Sequence, residues 1–235
     1  MNFFARLQGV FFTPQLTLKA ISEKPIWLDA LIFLLIISAL FTYIVTPYSN
    51  KDRAEVLKNN IKLQERMGEE SFKQRIEQLE NPSKTLVYLS SFLLSPITFL
   101  IGFLISSLII LVIGRFSSTE GNFVQIFSAS LHVNFIDKIL GNAVRLILIL
   151  SRKSVMQTTT SFALLFPRLD VTSLSFIVLS QFDFFQLWMF GILAYGLSHI
   201  FKIDIKKALF ISYGFWLLKS LFYIALVYFT MRIMG

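Results

Sequence analysis

The chain has 235 residues, 55% of them hydrophobic and only 15% charged, with a formal net charge of +8 and no cysteine. That charge is too sparse to coat a soluble domain of this length, and without cysteine neither a disulfide nor a thiolate metal site can form. The basic excess flanks apolar runs rather than forming an aromatic-bearing stripe, so it fits lipid contact and excludes nucleic acid as a partner.

The first element, Asn2–Lys24, is amphipathic. Phe3, Leu7, Val10 and Phe11 recur at helical spacing with Arg6 off the stripe, and Thr13-Pro14 interrupts the pattern, which predicts a helix in the membrane interface. A first span follows at Ile26–Val45, with Asp29 in its first turn, where a carboxylate suits the helix dipole. Residues 47–85 are the strongly hydrophilic stretch of the chain and predict an extramembrane helical hairpin. Gly68 breaks it, Glu69-Glu70 suit the start of its second helix, and Phe72, Ile76 and Leu79 make a narrow stripe. Such a hairpin is either a solvated loop or a docking surface, and the pattern suggests attachment to the bundle only at its ends.

The second span, Leu86–Ile113, should kink at Ser95-Pro96. The third, Phe123–Leu150, is the most polar: Asn134, Lys138, Asn142 and Arg145 recur at spacings of four, four and three, with Asp137 beside the row. Inside lipid such a face either glues helices together or lines a water path. A loop, Ser151–Gln181, opens with the polar run Gln157-Thr158-Thr159-Thr160-Ser161, and Asp170 is placed to cap a short helix through Leu179. The fourth span, Phe184–Phe201, is capped by Asp183, with Gly191, Ala194 and Gly196 offering a small-residue packing surface. A basic turn, Lys202–Lys207, leads into the fifth span, Ala208–Met231, which carries Lys219. Lys219 and Asp137 fall at matching depths, so an ion pair between them is expected if their helices are neighbours; Lys138 and Arg145 compete for that carboxylate, and Lys219 facing water or headgroups is the alternative. The expected fold is thus an all-α, polytopic bundle of five transmembrane helices with an N-terminal interfacial helix and a charged hairpin.

Catalytic signatures are missing. There is no H-E-x-x-H, no phosphate loop and no G-x-S-x-G elbow, and the two histidines, His132 and His199, lie on different spans. No catalytic, cofactor or metal residue is assigned, and no cofactor is expected. The site residues of interest are the intramembrane polar set Asn134, Asp137, Lys138, Asn142, Arg145 and Lys219.

Two stretches together resemble the Yip family (Ypt-interacting-protein domain), in its compact prokaryotic branch. One is Phe3…Arg6…Val10-Phe11…Pro14…Ile21…Pro25…Trp27 before the first span. The other is Phe182-Asp183-Phe184-Phe185-Gln186-Leu187-Trp188, followed by Gly196-Leu197-Ser198, the basic turn, Ala208 and Trp216. The charged insert with Gly68-Glu69-Glu70 sits where bacterial relatives carry a Glu/Gln-rich one. The resemblance spans essentially the whole chain and implies a five-helix bundle with a cytoplasmic N-terminus. The eukaryotic branch works with Rab-type GTPases. This chain lacks that branch's long soluble N-terminal region and its Asp-Leu-x-Gly-Pro and Gly-Tyr motifs, so Rab binding is not carried over. Some prokaryotic relatives accompany ABC-type export systems. The resulting expectation is an accessory or scaffold protein of a bacterial cytoplasmic membrane, binding another membrane protein, such as an ABC-type exporter, besides the lipid bilayer. A small transporter or channel using the polar face of the third helix is the alternative. Basic residues in the short loops and the resemblance both favour an internal N-terminus.

Overall fold

The computed structural model describes residues 1–156 and 160–234, so Gln157, Thr158 and Thr159 of the polar run lie outside the described residues. Among the described residues every regular element is a helix. Two short helices, α1 (Phe3–Phe12) and α2 (Pro14–Glu23), precede the long α3 (Leu28–Lys58). The hairpin follows as α4 (Ile61–Met67) and α5 (Glu69–Glu80). The chain then returns through α6 (Lys84–Leu89), a π-helical segment at Ser90–Leu94, and α7 (Ser95–Arg115). The next crossing has the same three-part build: α8 (Phe123–Phe135), a π segment at Ile136–Gly141, and α9 (Asn142–Arg152). After a loop bearing α10 (Leu174–Ser180), α11 (Phe184–Phe201) and α12 (Ile205–Met234) complete the bundle.

Four of the long helices are long and apolar enough to cross a membrane: Leu28–Lys58, Lys84–Arg115, Phe184–Phe201 and Ile205–Thr230. The remaining crossing, third in chain order from Phe123 through Arg152, is an unbroken run of helical segments and reaches about 45 Å at roughly 1.5 Å per residue, well over a hydrocarbon core of about 30 Å. The protein is therefore an all-α bundle of five long helices.

The core lies on α8 and α11. Phe135, Leu131, Leu193, Leu197 and Phe201 are all but inaccessible, because α8 packs against α7 and α11 while α11 also packs against α2 and α12. Backbones approach closely at Gly196, where an added Cβ would lie 3.3 Å from the Ala129 Cβ and 3.7 Å from that of Leu18. Hydroxyls tie the helices: Thr42 to Ser95 at 2.9 Å, and Ser212 to the Phe190 carbonyl at 2.6 Å. Near Pro96, which cannot donate a backbone hydrogen bond, the expected distortion takes the form of the π turn immediately before it.

Three expectations need correcting. The N-terminal segment does more than rest at the interface. Val10, Leu18 and Ile21 are buried against α8 and α11, and Arg6, expected off the apolar stripe, is only 4% exposed. The short loop helix is capped by Ser173, which accepts from the Phe176 amide, while Asp170 instead closes a turn by accepting from the Thr172 amide. The hairpin is not held only at its ends. Its helix α5 packs along the extramembrane end of α3, burying Phe72 and Ala54. Burying that phenylalanine contributes about 1.5–3 kcal/mol.

The hairpin's geometry follows from its sequence. Gly68 adopts φ +78°, open to glycine at little cost, and ends α4. Glu69 opens α5 and meets Lys73 one turn on at 2.6 Å, which holds its carboxyl below the usual range. Lys58 at the end of α3 meets Glu80 at the end of α5. Asp52, buried on α3, accepts from the Ser154 hydroxyl and the Val155 and Met156 amides, joining the head to the loop after α9.

Candidate functional site

The third crossing carries the intramembrane charges, and its π segment decides where they point. A π turn holds one residue more than an α turn, so the two sides of the insertion face different neighbours. Asp137 and Lys138 lie in that turn and Asn142 and Arg145 just beyond it.

Arg145 is the hub. Its Nη2 donates to Asp137 Oδ1 at 2.8 Å and to both oxygens of Asp183 at 3.0 Å. Nη1 reaches Asn142 Oδ1 at 3.2 Å, Nε reaches Thr160 Oγ1 at 3.2 Å, and the guanidinium lies over the Phe185 ring. Asp183 is also the N-cap of α11, accepting from the Phe185 and Gln186 amides at 2.9 and 3.1 Å, and the Thr160 hydroxyl donates to it. Asp183 and Asp137 are 6% and 4% exposed. A planar, always-charged guanidinium suits this task, because its fork can serve two carboxylates at once. Backbone hydrogen bonds from Phe162 to Phe182 and from Phe184 to Thr160 stitch the returning loop beside it. The arrangement pins the loop and the start of α11 to the middle crossing.

Lys138 meets Asp137 Oδ2 at 2.9 Å, so both oxygens of that carboxylate are engaged by cations. The expected ion pair between Asp137 and Lys219 is not formed. Lys219 Nζ instead donates to Gln186 Oε1 at 2.7 Å and lies over the Phe190 ring. Depth alone had matched the two groups; Arg145 and Lys138, on the same helix, reach the carboxylate first. Asn134 also stands apart from the cluster, returning its amide to the Ser130 carbonyl at 2.8 Å.

Lys219, Asn134, Asp137 and Lys138 nevertheless border one cavity of about 260 Å³ between α7, α8, α11 and α12. Its inner end is formed by Ile110, Leu193 and Phe215, all buried. Counting about 1.5 Å per residue from Phe123, Asp137 lies about 20 Å from the end of the bundle that holds the N-terminus. Asp137 thus lies at about the middle of the crossing, and Arg145, eight residues further on, lies nearer the hairpin end.

A second arginine, this one buried, serves the opposite end. Arg6 on α1 donates from Nε to His132 Nε2 at 3.0 Å and from Nη1 to the Met1 carbonyl at 2.8 Å, and it forms an ion pair with Asp29. Asp29 therefore has a partner besides its helix dipole. The other ring nitrogen of His132 faces the Ser128 carbonyl at 2.8 Å, which makes Nδ1 the protonated position and Nε2 the acceptor. Among the described residues no group of three or more histidine or acidic side chains could hold a metal.

Sequence reasoning missed Thr160, Gln186 and Arg6, and saw Asp183 only as a cap. A signal was present for Asp183 alone: a carboxylate bordering a strongly apolar span, in a chain whose third span carries an arginine.

Fold and charge placement together define a multi-pass helical membrane protein. The chain matches the Yip1 domain family over residues 9–227. It belongs to that family. Comparison with curated proteins and with solved structures finds no match.

Proposed function

We propose that this protein is a non-enzymatic accessory or scaffold protein of a bacterial cytoplasmic membrane, of the prokaryotic branch of its family. Its N-terminus lies inside, and its hairpin head is presented outside to another membrane protein. The build of the head carries this reading. A loop that only connected two spans would need no buried Phe72, no Asn60 cap on α4 and no Asp52 anchor to the neighbouring loop. These features fix a charged surface in advance, which lowers the ordering cost of binding. The family resemblance suggests an ABC-type export system as the partner. The cluster of Asp137, Lys138, Asn142 and Arg145 then serves assembly, with Arg145 holding the loop beneath the head.

The cavity beside Lys219 favours a second reading, a small transporter or channel. One experiment separates the two. Ser71 is exposed on α5, and the absence of native cysteine makes Ser71→Cys a unique handle. An impermeant thiol-reactive photo-crosslinker applied to intact cells should modify it and, on illumination, capture a stoichiometric membrane-protein partner. Lys206→Cys, in the basic turn at the other end, should stay unmodified. Labelling of Lys206→Cys alone reverses the orientation. No captured partner, together with solute flux in liposomes holding this protein alone, replaces the scaffold reading with transport.

A further inference from the structure

The cavity between α7, α8, α11 and α12 has a charge balance that the assembly reading does not use. Its lining includes Lys138, Lys219 and Asp137, and Asp137 is already engaged by Lys138 and Arg145. Lys219 has only a neutral amide oxygen, that of Gln186, as its hydrogen-bond partner among the described residues. Beside it on the lining, Ser130 is 5% exposed and its hydroxyl makes no hydrogen bond to the described residues. The pocket therefore offers one uncompensated cation and a free buried hydroxyl.

The cavity is also open. Gly102 on α7 and Lys219 on α12 are both exposed, and a Cβ added to Gly102 would have no atom within 4 Å. The residues outside this mouth, Ile101 and Ile105 on α7 and Leu218 and Phe222 on α12, are exposed and apolar. The opening thus faces lipid. An ammonium group facing lipid is poorly solvated there, which favours an anion beside it. The volume narrows the choice. At about 260 Å³ the cavity falls below the range of roughly 300–1,000 Å³ that encloses a whole drug-sized ligand, and so suits one anionic group.

We propose that this cavity is a binding site for a phosphate-type anion, held by Lys219 with Asn134 and Ser130. A phospholipid headgroup entering from the bilayer and a free phosphate share this chemistry. For a lipid, the acyl chains run outward past Gly102 along the exposed apolar face of α7.

Thermal unfolding of the full-length protein in a neutral detergent tests the site, with phosphatidylglycerol, phosphatidylcholine or inorganic phosphate titrated in. Phosphatidylglycerol should raise the unfolding temperature saturably, and phosphatidylcholine should do so much more weakly. Lys219→Gln removes the charge, and Gly102→Leu fills the mouth from the opposite wall. Each should shift the phosphatidylglycerol midpoint by about tenfold or more, the scale of one lost charged contact. If inorganic phosphate produces the same saturable rise, sensitive to both variants, the anion is taken from solution rather than from the bilayer. If a variant fails to fold, native mass spectrometry of the wild-type protein should retain phosphatidylglycerol in preference to phosphatidylcholine. Equal responses to the two lipids, no response to either anion, or a wild-type midpoint in either variant overturns the proposal.

Discussion

Two arginines hold opposite ends of the same bundle, and they do so with different company. Arg145 meets Asp137, Asp183, Asn142 and Thr160, and both carboxylates are almost wholly buried. Arg6 meets one carboxylate, Asp29, whose side chain is 41% exposed, together with a neutral imidazole and a carbonyl. Both tie a segment outside the crossings to the helices inside: the loop before α11 in one case, α1 in the other. The contrast shows what sets the strength of such a tie. Arg145 must neutralise acids that water cannot reach, whereas Arg6 mostly supplies hydrogen bonds that water could partly replace at Asp29.

This contrast can be broken by substitution. Arg145→Gln leaves two buried carboxylates short of a partner and should destabilise the protein by about 3–5 kcal/mol, measured by unfolding in mild detergent. Arg145→Lys should rescue little of this, because an ammonium has no planar fork. A loss under about 1 kcal/mol would mean that water reaches the cluster. Arg6→Ala strands the buried Nε2 of His132 and should cost less, about 1–3 kcal/mol. Asp29→Asn, at the wetter end of that pair, should cost below about 1 kcal/mol. If Asp29→Asn proves as damaging as Arg145→Gln, the two ends are equivalent and the contrast fails. The smallest effect is the coupling between Asp137 and Lys219. With Lys219 on Gln186, the double-mutant cycle of Asp137→Asn and Lys219→Gln should be additive within about 0.5 kcal/mol. A larger coupling would restore a direct pair.

The helical bundle was legible because apolar runs of bilayer length leave the backbone few alternatives to helix. Local signals also carried well: Gly68 ends a helix, Glu69 and Glu70 start one, and Asp183 caps one. Partners distant in sequence did not carry. Asp183 lies 38 residues from Arg145, and Arg6 lies 126 from His132, so neither contact leaves a spacing to read. Arg6 was read only as lying off the apolar stripe of an interfacial helix, and the folding of α1 onto α8 is what buries it. Lys219 shows a different limit. Matching depth on two helices leaves their rotation unspecified, and rotation placed Gln186 rather than Asp137 beside the ammonium. Asp137 and Lys138 were seen as adjacent in sequence, but their shared π turn depends on a hydrogen-bond register with no compositional mark.

That π turn has a geometric consequence. An α-helix turns about 100° per residue, so one surplus residue sets everything after it out of phase with everything before it. The third crossing is in effect two coaxial rods joined with an angular offset. On one rod Asn134 addresses the cavity; on the other Arg145 addresses the loop and α11. A helical wheel drawn through Asn134, Lys138, Asn142 and Arg145 assigns them a single stripe, but the offset divides that stripe between two destinations. Removing a single residue from Ile136–Gly141 would turn this π turn into an α turn and leave Arg145 facing Asp183, whereas tightening the turn with every residue kept would swing Arg145 away by about 100°.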